Sequence, residues 1–311
     1  LKALVTGGAG FIGSNVVKLL LNNNWEVRVI DNLSSGYKCN LDSLDVDFQE
    51  GDIRDSDIIA KACEGRDVVF HLAACVGRQK SLDDPQLDSS TNLLGTVNVL
   101  EGMKKNNVHR IVYSSSAAMF GELITPQIDE NHPQNADSPY GVSKLAGEKM
   151  VLAYCNIYNI TGVCLRYFNI YGVNQRYDYY GNVIPIFAKC IYSNEPMTIY
   201  GDGEQTRDFL NVKDVARANY LAAISGQDTD VYNLGSGSSI TINHLANIMQ
   251  EISGREVGIK YAPVRSADVR HCKANADKVL ERLGFKADVL LEDGLKEYMR
   301  WFENQCAQVN L

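Results

Sequence analysis

Short apolar runs recur through the first half of the chain, at residues 3–5, 27–30, 46–48, 68–70, 111–113 and 162–165. Segments with a helical pattern of polar and apolar positions lie between them, at 11–21, 57–63, 89–105 and 140–158. Strands that alternate with helices pair in parallel through right-handed crossovers. Runs that are apolar on both faces suit the interior of such a sheet. The pattern predicts a doubly wound α/β domain.

Beyond about residue 170 the texture changes. Loops lengthen, and Tyr, Asn and Gly accumulate, as in YGVNQRYDYYGN at 171–182. A new apolar patch at 231–234 runs into GSGSS, and helical patterns follow at 242–252 and 277–283. The second half reads as a smaller mixed α/β lobe added to the sheet. No repeat, low-complexity stretch or Pro/Ser-rich linker separates the two, so they are expected to pack around a shared cleft. The expected division is 1–170 with about 206–234 for the sheet domain, and about 171–205 with 235–311 for the lobe.

Composition narrows the function classes. The 311 residues suffice for a sizeable core. A net charge of −8 argues against broad nucleic-acid binding, which needs a basic face. Any anion site must be built locally. No apolar run approaches the roughly 20 residues of a membrane span. The chain opens directly on the strand-like KALVT, without a signal-like segment. Its eight cysteines form no CxxC pair and no metal-spaced cluster with histidine. A cytoplasmic protein with reduced thiols, no metal and no membrane partner is the expectation.

The first chemistry lies in TGGAGFIG, residues 6–13, between a strand and a helix. Gly7, Gly10 and Gly13 allow a tight turn and the close approach of backbone to a pyrophosphate. The helix N-terminus offers N–H groups and the positive end of its dipole. Asp31 ends the second strand 18 residues after Gly13, near the spacing of about 20 at which an acid accepts the adenosine ribose hydroxyls. A carboxylate there repels a 2′-phosphate, and DNLSSG supplies no adjacent cation, so NAD is favoured over NADP. The fold is then a Rossmann-type sheet. Asp52, in GDIRD, is a candidate for the adenine edge or, equally, for a helix cap.

The second chemistry lies in PYGVSK, residues 139–144. Tyr140 and Lys144 are four residues apart and share a helix face. A free phenol, with a pKa of about 10, is a poor base at neutral pH. A nearby ammonium and an oxidised nicotinamide both favour phenolate. The pair could therefore take and return a hydroxyl proton during hydride transfer, with Lys144 also holding the nicotinamide ribose.

With these motifs go HLAA, NLLGTVNVLE, SSSAAMFG, LRYFNIYG, GDGEQTRDFLNVKDVA, YNLGSG and DVRHCKANADK, in that order along nearly the whole chain. The sequence resembles the extended short-chain dehydrogenase/reductases, within them the NAD-dependent epimerase/dehydratase group, and most of all UDP-hexose 4-epimerases. The resemblance makes Ser116 the catalytic hydroxyl beside Tyr140 and Lys144, with Ser114 and Ser115 supporting the strand end and the cofactor. It implies that Phe11, Ile12, Asn32, Ser34, Ile53, Leu72, Ala73, Ala74, Asn92 and Ser114 line the NAD site, with Gly7, Gly10, Gly13, Asp31 and Asp52. On the substrate side it implies Asn169, Asn182 and Val183 near the diphosphate and Thr198 and Tyr200 at the uracil. Arg207 and Arg265 would clamp the diphosphate, Asp268 would hold the ribose, and Cys272 would gate the sugar pocket. Relatives that eliminate water typically carry Asp-Glu after the catalytic hydroxyl, whereas this chain has Ala117 and Ala118, which transfer no protons.

The implied reaction is NAD-dependent 4-epimerisation of a UDP-hexose (UDP-Glc/UDP-Gal) through a 4-keto intermediate. A small residue at 272 would extend it to UDP-GlcNAc/UDP-GalNAc. Arg78, in CVGRQKS, is set to face the sugar, phosphate or solvent. Facing the sugar, its charge would suit a carboxylate, making a UDP-glucuronate 4-epimerase the alternative. From another class stands a non-catalytic NAD-binding sensor or scaffold, against which Ser116, Tyr140 and Lys144 together argue. The family resemblance also implies a homodimer through a four-helix bundle built from the helices around 89–105 and 140–158.

Overall fold

The computed structural model describes residues 1–121, 123–177, 181–226, 228–264 and 269–309, the last four of these in backbone only. Seven strands form one parallel sheet: β1 (Lys2–Thr6), β2 (Glu26–Asp31), β3 (Asp47–Glu50), β4 (Val68–His71), β5 (Arg110–Ser116), β6 (Thr161–Tyr167) and β7 (Asp230–Leu234). Their order is β7-β6-β5-β4-β1-β2-β3. The order reverses between β1 and β4, and doubly wound sheets bind ligands at the C-terminal ends of strands at such a point. Central strands are sealed on both faces: Ala3, Leu4, Val5, Val69, Phe70, Ile111 and Val112 are all fully buried. That is why these strands read as continuous apolar runs rather than as alternating ones.

Helices Phe11–Asn22 and Val212–Ile224 cover one face of the sheet. Helices Ser56–Ala62, Gly95–Lys105 and Pro139–Ile157 cover the other. The stretch 89–105, expected as one helix, is broken into Pro85–Ser89, a π-helical turn at Ser90–Leu94, and Gly95–Lys105. A π turn carries one extra residue, re-aiming the side chains within it. Here it turns Asn92 inward.

The rest of the chain builds a second apolar core from Phe187, Ile199, Leu245, Met249, Tyr298 and Phe302. Its helices are Val183–Tyr192, Ile242–Ser253 and Leu291–Val309. The first and third of these were not anticipated from sequence. The Asp277–Leu283 helix departs from the expected division: Val279, Leu283 and the following Phe285 pack into the core of the sheet domain. Among the described residues, no helix is long and apolar enough to cross a membrane.

Candidate active site

The glycine-rich turn lies at the C-terminal end of β1. Gly7 has φ 70°, and a Cβ there would stand 2.7 Å from the Ala73 backbone nitrogen. A Cβ on Gly13 would stand 2.1 Å from the Gly7 carbonyl oxygen. Gly7 excludes a side chain because the backbone after β4 runs against it and its φ is left-handed, Gly13 because the first helix presses its N-terminus onto the turn. Gly10 heads that helix without any side-chain cap, which leaves first-turn N–H groups to an anionic ligand. Asp31 is buried, and Oδ2 accepts from Ala9 N (2.9 Å) while Oδ1 accepts from Leu33 N (2.8 Å). Burial raises its pKa, and the backbone donors pull it back. Each oxygen keeps a lone pair for a ribose hydroxyl. The turn, the uncapped helix and this acid fit an NAD adenosine diphosphate half.

Asp52 is not the cap of the helix that follows. Asp55 caps helix Ser56–Ala62 through the Asp57 and Ile58 amides. Asp52 instead takes the Arg54 guanidinium at 3.0 and 2.7 Å and the Asn32 amide at 2.8 Å. Arg54 holds its carboxyl well below the usual range. Ser34 donates to Asn32 Oδ1 (2.6 Å), so Asn32, Ser34 and Asp52 form one cluster beside Asp31.

The three serines end β5, where side chains alternate between faces. Ser115 points away from its two neighbours and donates to Glu148 Oε2 (2.6 Å). Glu148 is paired with Arg166 at 2.7 and 3.0 Å, and both side chains are almost fully buried. Ser115 therefore belongs to a buried ion-pair network behind the strand, which the sequence did not signal. Ser114 is hydrogen-bonded to Tyr167. Ser116 accepts from Ala118 N (3.2 Å), capping the short 3-10 turn Ala117–Phe120, and its hydroxyl lies close enough to the Tyr140 phenol to pull the phenol's pKa down.

That meeting depends on a residue absent from the sequence expectations. Ser138 caps the Pro139–Ile157 helix by accepting from Gly141 N. A Cβ on Gly141 would lie 2.4 Å from the Ala118 carbonyl oxygen. Glycine thus lets the helix head close onto the turn after Ser116.

Lys144 is buried, with Nζ 4.6 Å from the centre of the Tyr113 ring. Burial brings its pKa down to about 8, with Asp88 the foremost opposing charge. The Tyr140 phenol shifts upward. Burial pushes it up to about 12; the Ser116 hydrogen bond pulls it back, while Asp88 and Cys75 push it further up.

Leu72, Ala73 and Ala74 follow β4, and Ala73 N donates to Thr6 Oγ1 (3.2 Å). Asn92 is buried and holds the next residue from both sides: Oδ1 accepts from Cys75 N (2.8 Å) and Nδ2 donates to Cys75 O (2.9 Å). Nδ2, with two hydrogens, also shares them with Asp88 Oδ1 (3.1 Å) and Ser143 Oγ (3.0 Å). Its contacts fix the loop against the Tyr140 helix. Ile53 packs its side chain against Gly95 of the following helix.

Toward the second core, Asn182 heads helix Val183–Tyr192, is exposed and does not cap it. Asn169 Nδ2 donates to Asp208 O (3.1 Å). Thr198 and Tyr200 share one face of strand Met197–Tyr200. Arg207 Nη1 donates to the Thr206 and Val269 carbonyls at 2.9 and 2.6 Å. Its charge faces Cys272, whose thiol burial pushes up to about 11. Cys272 packs with Met119, Phe120 and Phe168, directly under the turn that follows Ser116. Arg78 pairs with Asp137 at 3.3 Å, just ahead of the Tyr140 helix. Arg265 and Asp268 lie outside the described residues.

A family model described as the NAD dependent epimerase/dehydratase family matches residues 3–235. A UDP-glucose 4-epimerase of Mycolicibacterium smegmatis is 32% identical over 311 residues, 98% of this chain and 99% of the relative. The structure of a UDP-glucose 4-epimerase of Thermotoga maritima with UDP-glucose superposes with a TM-score of 0.93 at 36% identity, covering 98% of this chain and 99% of the other. A UDP-N-acetylglucosamine 4-epimerase of Methanobrevibacter ruminantium in complex with UDP-N-acetylmuramic acid gives 0.93 at 35% identity, covering 98% of each chain. With the family model matching residues 3–235 and a relative 32% identical over 98% of the chain, the chain belongs to the NAD dependent epimerase/dehydratase family.

Proposed function

We infer that the chain is an isomerase that inverts C4 of a UDP-hexose with NAD. The observation that carries this reading is that Ser116 lies beside the Tyr140 phenol, with Lys144 buried one helical turn further on and only Ala117 and Ala118 in the turn after Ser116. NAD, when bound, accepts a hydride from C4 and returns it. Gly7, Gly10, Phe11, Ile12 and Gly13 would hold its pyrophosphate, and Asp31 its adenosine ribose. Asn32, Ser34, Asp52 and Ile53 would border the adenine, with Leu72, Ala73, Ala74 and Ser114 toward the nicotinamide. Ser116 binds the C4 hydroxyl and passes its proton to Tyr140 as the 4-keto sugar forms. After the sugar turns over, the same pair returns the proton. The two alanines supply no acid for loss of water.

Asn169, Asn182, Val183 and Arg207 border the diphosphate in this reading, and Thr198 and Tyr200 the uracil. Residues 1–170 with about 206–234 hold the dinucleotide, while 171–205 and 235–311 hold the UDP-sugar, apart from the Asp277–Leu283 helix. Cys272 leaves space beside the sugar, which favours N-acetylated substrates as well as UDP-Glc and UDP-Gal. The Arg78–Asp137 pair weighs against UDP-glucuronate, because a substrate carboxylate would have to compete with Asp137. Exposed Leu87, Leu94 and Val142 on the 85–105 and 139–157 helices supply an apolar face for a homodimer. A cytoplasmic location accords with the free thiols of the described cysteines.

Incubation of the purified protein with NAD and, separately, UDP-Glc, UDP-GlcNAc and UDP-GlcA tests the reading. A 4-epimer is expected from the first two; absence of product from all three overturns it.

A further inference from the structure

Asp88 is a carboxylate that the reaction described above leaves unused. It lies in helix Pro85–Ser89, which packs against the helix carrying Tyr140 and Lys144, and it is fully buried. Oδ1 accepts from Asn92 Nδ2 (3.1 Å), while Oδ2 is buried without a hydrogen-bond partner. A buried carboxylate oxygen left without a donor costs several kcal/mol in general unless a charge compensates it.

Burial raises the Asp88 pKa, and the Ser143 hydroxyl and then the Lys144 charge pull it back. Around the Lys144 ammonium stand Asp88 from helix Pro85–Ser89, Glu148 from its own helix, Cys164 of β6 and the Tyr113 ring of β5, while the His71 ring of β4 is neutral. Glu148 is already committed to Arg166 and Ser115. Among the described residues facing Lys144, Asp88 is therefore the acid whose charge is not taken by a guanidinium. It also faces the Tyr140 phenol, together with Cys75 and Ser116. The connecting atoms are fixed: Asn92 bridges Asp88 to Ser143 Oγ (3.0 Å), and Ser143 donates to the Tyr140 carbonyl (3.1 Å).

We propose that Asp88 is a positioning residue of the epimerase, the buried counter-charge that keeps Lys144 protonated in a site dry enough to neutralise it, with Asn92 and Ser143 fixing its place. Removing its charge has two effects of one sign. Lys144 gives up its proton at lower pH, so the alkaline limb of activity moves down. In the NAD-loaded protein the oxidised nicotinamide would draw the Tyr140 phenol down from its buried value, and without the Asp88 charge it becomes a phenolate at still lower pH, so the acidic limb moves down as well. The whole profile slides toward acid, while a carboxylate that merely fills space would lower the rate without moving the profile.

The inference rests on the 4-epimerase reading, and the test separates the two. kcat/KM for UDP-glucose is measured from pH 6 to 10 on the NAD-loaded wild type, Asp88→Asn and Asp88→Glu. Alongside, the Lys144 side-chain 13Cε resonance, assigned by Lys144→Arg, is titrated. In Asp88→Asn, both limbs and the resonance midpoint are expected about one pH unit lower, the shift typical of losing one close opposite charge. Asp88→Glu should stay with the wild type. If Asp88→Asn folds poorly, Asp88→Ser is read in the same way. A wild type without 4-epimerase activity overturns the underlying function. An active wild type whose profile and lysine titration are unchanged by loss of Asp88 overturns the role of Asp88 alone.

Discussion

His71 offers a direct test of how burial shapes this molecule. The ring lies fully buried at the end of β4, between Thr6 Oγ1 (2.8 Å) and Thr96 Oγ1 (3.0 Å). Thr96 donates to Asn92 O (2.7 Å), so it must accept from His71 Nε2, and Nδ1 is left to accept from Thr6. The neutral tautomer completes this relay, and a second ring proton would break it. Burial, with the Lys144 charge adding to it, brings the His71 pKa from 6.5 down to about 3. A pKa depressed by folding means the unfolded chain binds the proton first. Stability is intact above pH 6.5 and falls as the pH drops toward 3. At about 1.4 kcal/mol for each unit crossed, the loss is about 2 kcal/mol at pH 5 and about 3 kcal/mol at pH 4. Urea unfolding of the wild type and His71→Gln, at one saturating NAD concentration, measures it between pH 8 and 4. The variant should start less stable at pH 8 and then lose about 2 kcal/mol less than the wild type on going to pH 5. Parallel losses in the two proteins would refute a neutral, desolvated His71.

Tyr140→Phe should keep NAD bound, judged by absorbance of the purified protein, while turnover falls by about 10² to 10⁴, the usual contribution of a positioned acid–base group. Gly141→Ala should lower kcat more than it raises KM, because the added methyl meets the Ala118 carbonyl and pushes Tyr140 off Ser116; an unchanged kcat would show that the helix head has room. Cys272→Tyr should depress kcat/KM for UDP-GlcNAc by about 10-fold or more relative to UDP-Glc, as expected when a pocket loses space for a substituent, and equal effects on both sugars would remove Cys272 as a gate.

Local sequence was sufficient for the alternation of strands and helices, the glycine turn, the acid ending β2, and the tyrosine–lysine pair on one helix face. Each of these depends on residues close in the chain, where spacing and backbone freedom carry the physics. The two alanines after Ser116 were legible for the same reason, since a residue that cannot transfer a proton is silent in any fold. Other features arose only when distant segments met. Ser115 looks like its neighbours in sequence, yet strand alternation sends it to Glu148 and Arg166, 33 and 51 positions onward. Asn92 acquired its role through a π turn that no periodicity announces, and Asp88 through a helix contact that buries it beside Lys144. The Tyr140 phenol was read as easily ionised beside a lysine and an oxidised nicotinamide, while the desolvation that raises its pKa exists only once the chain has folded around it. Sequence by itself determined which polar and ionisable groups stand at which spacing along the chain; tertiary structure decided which of them are paired, which are dry, and therefore which are charged.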